Sequence, residues 1–168
     1  MKKLITLLLS LLTLVSYSQT ELDMEVFKII NDYRVSNGLE KLIWSDEAFV
    51  ATQKHNNYMV KADVLSHHQP IDIPNHKEIQ DVGDRFTMDG IQYYSLGENA
   101  ACVSYSDSLL PYIGQSIVNT WIKSDGHRKL LLHKSMRYGS VSTSLVSREK
   151  KYYSDVVGNC FVTFNAFR

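Results

Sequence analysis

Ile113, Ile117 and Trp121 recur at every fourth residue, and Leu110, Val118 and Ile122 widen the stripe. That spacing predicts an amphipathic helix lying on a core. Ser124 and Gly126 should end it, because Ser competes for backbone hydrogen bonds and Gly tolerates the left-handed conformation of many helix stops. His127 and Arg128 follow, and then the apolar run Leu130-Leu131-Leu132. A buried tryptophan on one side and a leucine plug on the other would make the turn rigid. His127 would then project from a fixed point of the backbone, as a binding or catalytic imidazole does.

Beyond Met136 the hydrophobic period switches to two. Val141, Thr143 and Leu145 alternate with Ser140, Ser142 and Ser144, as in a strand with one wet face. Arg148–Lys151 reads as a charged turn, Tyr152–Val157 as a second strand and Gly158-Asn159 as a tight turn. Cys160–Phe167, aromatic on both faces, reads as an interior strand. Upstream the signals are helical. Val26, Phe27, Ile30 and Tyr33 share one face of a first helix that Gly38 stops. After the extended link Leu39–Trp44, Ser45 caps a second helix, and Asp46 and Glu47 favour the positive end of its dipole. Its inner face is Ala48, Ala51, Thr52, His55 and Met59, which makes His55 a hydrogen-bonded packing residue. Leu65–Asp89, with Pro70 and Pro74, shows no sustained period and reads as a long loop. Ile91–Ala101 reads as an extended segment interrupted by Gly97, and Ser104–Ser108 as a polar loop offering caps to the third helix, with Pro111 near its first turn. Helices first and an antiparallel meander last predict an α+β domain built in layers.

The chain of 168 residues is long enough for one self-sufficient core. Residues 1–18 are set apart from it. Lys2 and Lys3 precede the apolar run Leu4–Val15, too short to span a bilayer, and Ser16-Tyr17-Ser18 offers small residues to a signal peptidase. The expectation is an exported protein, periplasmic or extracellular, whose mature domain is 19–168 and carries no transmembrane segment. Basic and acidic side chains number 18 each, and loss of Lys2 and Lys3 leaves a slight negative excess. No nucleic-acid partner is indicated. Cys102 and Cys160 both lie in the exported part. An oxidising compartment predicts one Cys102–Cys160 disulfide, worth about 4 kcal/mol by loop closure; two buried free thiols are the alternative.

His67, Glu98 and His127 stand at irregularities of the pattern: His67 opens the long loop, Glu98 follows Gly97, and His127 follows Gly126. Two imidazoles and a carboxylate are a set that zinc or another divalent metal accepts, with positions left for water. A Ser124–His127–Glu98 triad can also be written down, although no Gly-x-Ser-x-Gly elbow is present.

The ordered set Asn31, Arg34, Gly38-Leu39, Leu42-Ile43-Trp44, Ala51, His55, Met59 and Leu65-Ser66-His67 resembles the CAP superfamily, the cysteine-rich secretory, antigen 5 and pathogenesis-related proteins with an SCP-like domain. The likeness continues through Asp84-Arg85-Phe86, Gly97-Glu98-Asn99 and Trp121-Ile122-Lys123-Ser124-Asp125-Gly126-His127-Arg128, a form similar to the bacterial branch. It implies a three-layer α-β-α sandwich around an antiparallel sheet, with a central cleft of two His and two acids that holds a divalent metal in some members. His67, Glu98 and His127 match three of these, with His68 the rival of His67 and Asn99 beside Glu98. At the second acid the chain departs from the pattern: Ser124 occupies the position, and Asp125 next to it is the available carboxylate. The resemblance leaves function open between a monomeric module binding a metal, a lipid-like small ligand or a protein, a metal-dependent hydrolase, and a metal-free interaction scaffold.

Overall fold

The computed structural model describes residues 18–70, 79–147 and 157–168. In chain order the elements are α1 (Glu21–Ser36), β1 (Ile43–Trp44), α2 (Asp46–Ala62), β2 (Gln69–Pro70), β3 (Ile79–Gln80), α3 (Val82–Met88) and β4 (Leu96–Tyr105). A single 3-10 turn, Leu110–Tyr112, leads into α4 (Ile113–Lys123), followed by α5 (Asp125–Leu131), β5 (Tyr138–Ser147) and β6 (Gly158–Phe167). The leader expected over residues 1–18 except Ser18, the charged turn Arg148–Lys151, and the strand expected over Tyr152–Val157 except Val157 lie outside the described residues.

The main sheet has the order β1-β5-β6-β4. β6 is its centre and pairs antiparallel with both β5 and β4 along all ten of its residues. Among the described strands of this sheet only the two-residue β1 runs parallel, against β5. Alternation along the strands sends successive side chains to two covering layers. On one face Val26, Phe27 and Ile30 of α1, Ile113, Ile117 and Trp121 of α4, and Leu131 of α5 pack on Ala101, Val141, Val162 and Phe164. On the other, Met59 of α2 packs on Ala100 and Phe161, while Ala48 and Ala51 meet Phe86 and Phe167. The fold is the three-layer sandwich.

Local chemistry sets the helix ends, as the sequence suggests for Gly38 and Ser45. Thr20 and Asp23 form a capping box for α1, and Gly38 turns the chain away at φ +74°. Ser45 Oγ accepts from Ala48 N at 3.1 Å at the start of α2.

Elsewhere the structure departs from the pattern reading. The region read as one long loop holds the β2–β3 pair and α3, whose capping box is Asp81 with Asp84. β4 starts at Leu96 and runs through Gly97 to Tyr105, so Ser104 belongs to the strand, and α4 begins after Tyr112 with no side-chain cap. Gly158 and Asn159 open β6 rather than forming a turn. The serine face of β5 is dry. It faces α2, where Ser140 Oγ lies 2.6 Å from Thr52 Oγ1 and Asn56 donates to Ser144 Oγ at 2.9 Å. Hydrogen-bonded hydroxyls make a polar strand face compatible with burial, which period alone does not reveal.

The disulfide is also corrected. Cys102 stands opposite Phe161, and Cys160 opposite Val103, so the two cysteines are one residue out of register on adjacent strands. That offset places them on opposite faces of the sheet. Cys160 is buried in the α1–α4 layer and Cys102 packs in the α2 layer. Both are thiols rather than halves of a bridge, and burial pushes the Cys160 thiol up to about 12. Alkylation of the unfolded, non-reduced protein should therefore label two thiols; a mass showing an internal bridge would refute this register. Trp121 is fully buried, donates from its indole to Ala100 O at 3.4 Å and lies 6.0 Å from the Phe164 ring. Trp121→Ala should cost about 3–5 kcal/mol in chemical denaturation.

Candidate functional site

Glu98 lies on β4 opposite Asn165, on the α2 face of the sheet, and its side chain is 2% exposed. Both carboxylate oxygens are engaged. Arg85 Nη2 donates to Oε2 at 2.5 Å, and His67 Nδ1–H donates to Oε1 at 3.0 Å. Arg85 comes from α3, and its Nη1 also donates to His67 O at 3.0 Å and Gln80 O at 3.4 Å. One buried guanidinium thus ties together β3, the chain around His67, and β4.

His55 reaches the same place from α2. Its ring is fully buried, with Nε2 2.8 Å from Ser66 O, Nδ1 2.8 Å from Gln69 Oε1, and Nε2 3.6 Å from Glu98 Oε1. Burial lowers its pKa, with the Glu98 charge opposing. A neutral ring donating to Ser66 O must accept at Nδ1, which requires Gln69 to present its amide NH₂. The packing role expected of His55 holds, and the ring also borders the Glu98 carboxylate.

His127 approaches from the opposite layer. Contrary to the turn expected at Gly126, the chain re-enters a helix at Asp125, and Gly126 lies inside α5 without a positive φ. The helix is seated on β4 by two contacts. Gly97 leaves room for Leu130, whose Cδ1 would lie 2.5 Å from a Cβ there, and Asn99 Nδ2 donates to His127 O at 3.0 Å. Nδ1 of His127 is buried and has no hydrogen-bond partner among the described residues. Burial, followed by the charge of His67, lowers the His127 pKa.

The remaining expected residues divide. Asn99 is buried and holds α5 in place. Ser124 is half-buried and makes no side-chain capping bond. His68 is exposed, and Asp125 faces solvent in an ion pair with Arg128. Asp125 does not supply a second carboxylate to Glu98. Nor is the triad assembled: Glu98 bonds His67 and Arg85, and no hydrogen bond joins Ser124 to His127 among the described residues. Among those residues, no three His, Cys, Asp or Glu side chains form a ready metal cage. Neither Arg85 nor Gln69 stands out in the sequence as a site residue. The i, i+3 pair Asp81 and Asp84 was the available signal, because a helix starting there carries Arg85 inward beside Phe86.

The cluster sets a pH window. Burial pushes the Glu98 carboxyl up, but the His67 hydrogen bond and the Arg85 charge together outweigh it, so its pKa is lowered. The hydrogen bond to Glu98 raises the His67 pKa against the effect of burial. Stability from Glu98 is present above its unfolded pKa and is lost as pH falls through the lowered folded value. Stability from His67 is present below its unfolded pKa and is lost as pH rises through the raised folded value. The contact contributes most between the two. NMR titration should find His67 above the ordinary imidazole value. Glu98→Gln should bring it to or below that value, since burial and Arg85 both then act downward; an unchanged His67 titration would contradict the contact.

Comparison with known proteins agrees with this fold. The family model described as CAP, the cysteine-rich secretory protein family, matches residues 27–162. The uncharacterized membrane protein YlbC of Bacillus subtilis (strain 168) is 27% identical over 136 residues, spanning 81% of this chain and 34% of that protein. The chain thus covers about a third of this curated relative. An extracellular protein containing a SCP domain from Bacillus anthracis superposes with a TM-score of 0.63 at 24% identity, over 88% of this chain and 40% of that one. An outer surface protein from Borrelia burgdorferi gives 0.60 at 15% identity, over 90% of this chain and 96% of that one. At these identities the two structures establish the fold. The matched segment runs from α1 into β6 and includes all of His67, Arg85, Glu98 and His127, so the chain belongs to the cysteine-rich secretory protein (CAP) family.

Proposed function

We propose that this protein is an exported CAP-domain binding module whose cleft offers the imidazoles of His67 and His127 to a divalent cation such as zinc. The observation that carries the reading is the 3.0 Å hydrogen bond from His67 Nδ1–H to Glu98. A carboxylate behind an imidazole fixes its tautomer and aims the other nitrogen, here the Nε2 of a half-exposed ring, as a lone pair. His127 fits as the second ligand because its Nδ1 is a buried nitrogen without a partner among the described residues. Glu98 fits as the orienting group rather than a direct ligand, since both its oxygens are already engaged. A cation held there would supply a Lewis-acidic point with water in its remaining positions.

Binding is favoured over turnover because no nucleophile is paired with a base in the cleft among the described residues. A lipid-like small ligand or a protein partner would be recognised at the same opening. Export is supported by the Lys2-Lys3 and Leu4–Val15 pattern, and by the extracellular and outer-surface descriptions of the two structural relatives. Among the described residues no helix is long and apolar enough to cross a membrane.

Thermal unfolding with and without zinc tests the reading. Zinc should raise the melting temperature of the chelator-treated protein by mass action, and less at acid pH, where both rings are protonated. His67→Ala and His127→Ala should each abolish the rise. His55→Ala should instead lower the metal-free melting temperature. A full zinc response in His127→Ala would refute the shared site.

A further inference from the structure

The sequence holds one asparagine that is followed by glycine, Asn37-Gly38, and the fold places it at the end of α1. Asn37 is the exposed C-cap of that helix, and Gly38 follows it at φ +74°. Gly38 N–H donates to Val35 O and Leu39 N–H to Arg34 O, each at 3.0 Å. That pair of bonds is the Schellman closure of a helix. The asparagine side chain is turned back onto the helix, donating from Nδ2 to Tyr33 O at 2.7 Å. We propose that Asn37 is a site of spontaneous deamidation, and that the closure of α1 gates the reaction.

The reaction needs no partner besides water. Gly38 N loses its proton and attacks Asn37 Cγ. The N–Cγ bond forms, the Cγ–Nδ2 bond breaks, and Nδ2 leaves as ammonia with that proton. Water then opens the cyclic imide, at Cγ to give aspartate or at the Asn37 backbone carbonyl carbon to give isoaspartate. Glycine favours the attack because it has no Cβ to crowd the approach. In the folded chain both reacting groups are held, the attacking nitrogen by Val35 O and the amide it must reach by Tyr33 O. The last turn of α1 therefore has to open first, and exposed helix ends open far more readily than a whole domain. The closure does not return as it was. Aspartate has no Nδ2 donor for Tyr33 O, and it brings a negative charge to the negative end of α1. Asp89-Gly90 and Asp125-Gly126 share the glycine but offer a carboxylate, a poorer electrophile than an amide, and each is tied in an ion pair, with Lys54 and Arg128.

Peptide mapping by mass spectrometry after timed incubation at mildly alkaline pH tests this, on the folded protein and on the same protein unfolded in guanidinium chloride. Asn37 should be the first asparagine converted, as a mixture of aspartate and isoaspartate, about ten-fold or more slowly in the folded protein than in the unfolded one. Val35→Gly loosens the last turn at an exposed position and leaves Asn37 and Gly38 as they are. It should raise the folded-state rate about two-fold and leave the unfolded rate unchanged. Equal rates in the folded and unfolded protein, another asparagine converting first, or a folded Val35→Gly protein no faster than the native one overturns the proposal.

Discussion

A carboxylate as deeply buried as Glu98 has to be compensated from within the protein, because water no longer does it. The compensation comes from Arg85 on one oxygen and His67 on the other. Those contacts require α3 to stand beside β4 and the Ser66–His67 chain to fold over both. The β2–β3 pair, the inward face of α2 through His55, and the position of Gln80 all converge on the same carboxylate. Removing one partner of such a pair leaves a buried charge, a loss of about 3–5 kcal/mol.

The sandwich explains how one strand serves two layers. Glu98 faces α2, whereas Gly97 and Asn99, one residue to either side, face the opposite layer and receive α5. Strand alternation therefore lets β4 aim a carboxylate into one layer while anchoring the helix that carries His127 in the other. The same alternation separates Cys102 from Cys160, so the arrangement that builds the site also prevents the disulfide.

Much of this was legible in the residues. The stripe of Ile113, Ile117 and Trp121, the caps at Ser45 and Gly38, and the apolar β6 are strong local signals, and each sits where its pattern places it. His67, Glu98 and His127 stood out through the family resemblance more than through spacing, because separations of about thirty residues carry no information on proximity. What escaped was tertiary in origin. Gly126 behaves as a helical residue because Leu130 docks on Gly97 and Asn99 holds His127 O. The serines of β5 are buried because Thr52 and Asn56 meet their hydroxyls. A cysteine pair reads as a bridge until the register is known, and a one-residue offset is invisible in a cysteine count. Arg85 was hidden by the prolines and charges around it, which masked a helix of seven residues.

Arg85 and Glu98 act as a unit on which the His67 backbone, Gln80 and His55 converge. A double-mutant cycle on unfolding free energy, with Arg85→Met, Glu98→Gln and the double variant, measures their coupling directly. A coupling of about 2 kcal/mol or more is expected for a pair this buried, with the double variant more stable than the sum of the single losses implies. Additive losses, with coupling within about 0.5 kcal/mol of zero, would contradict it.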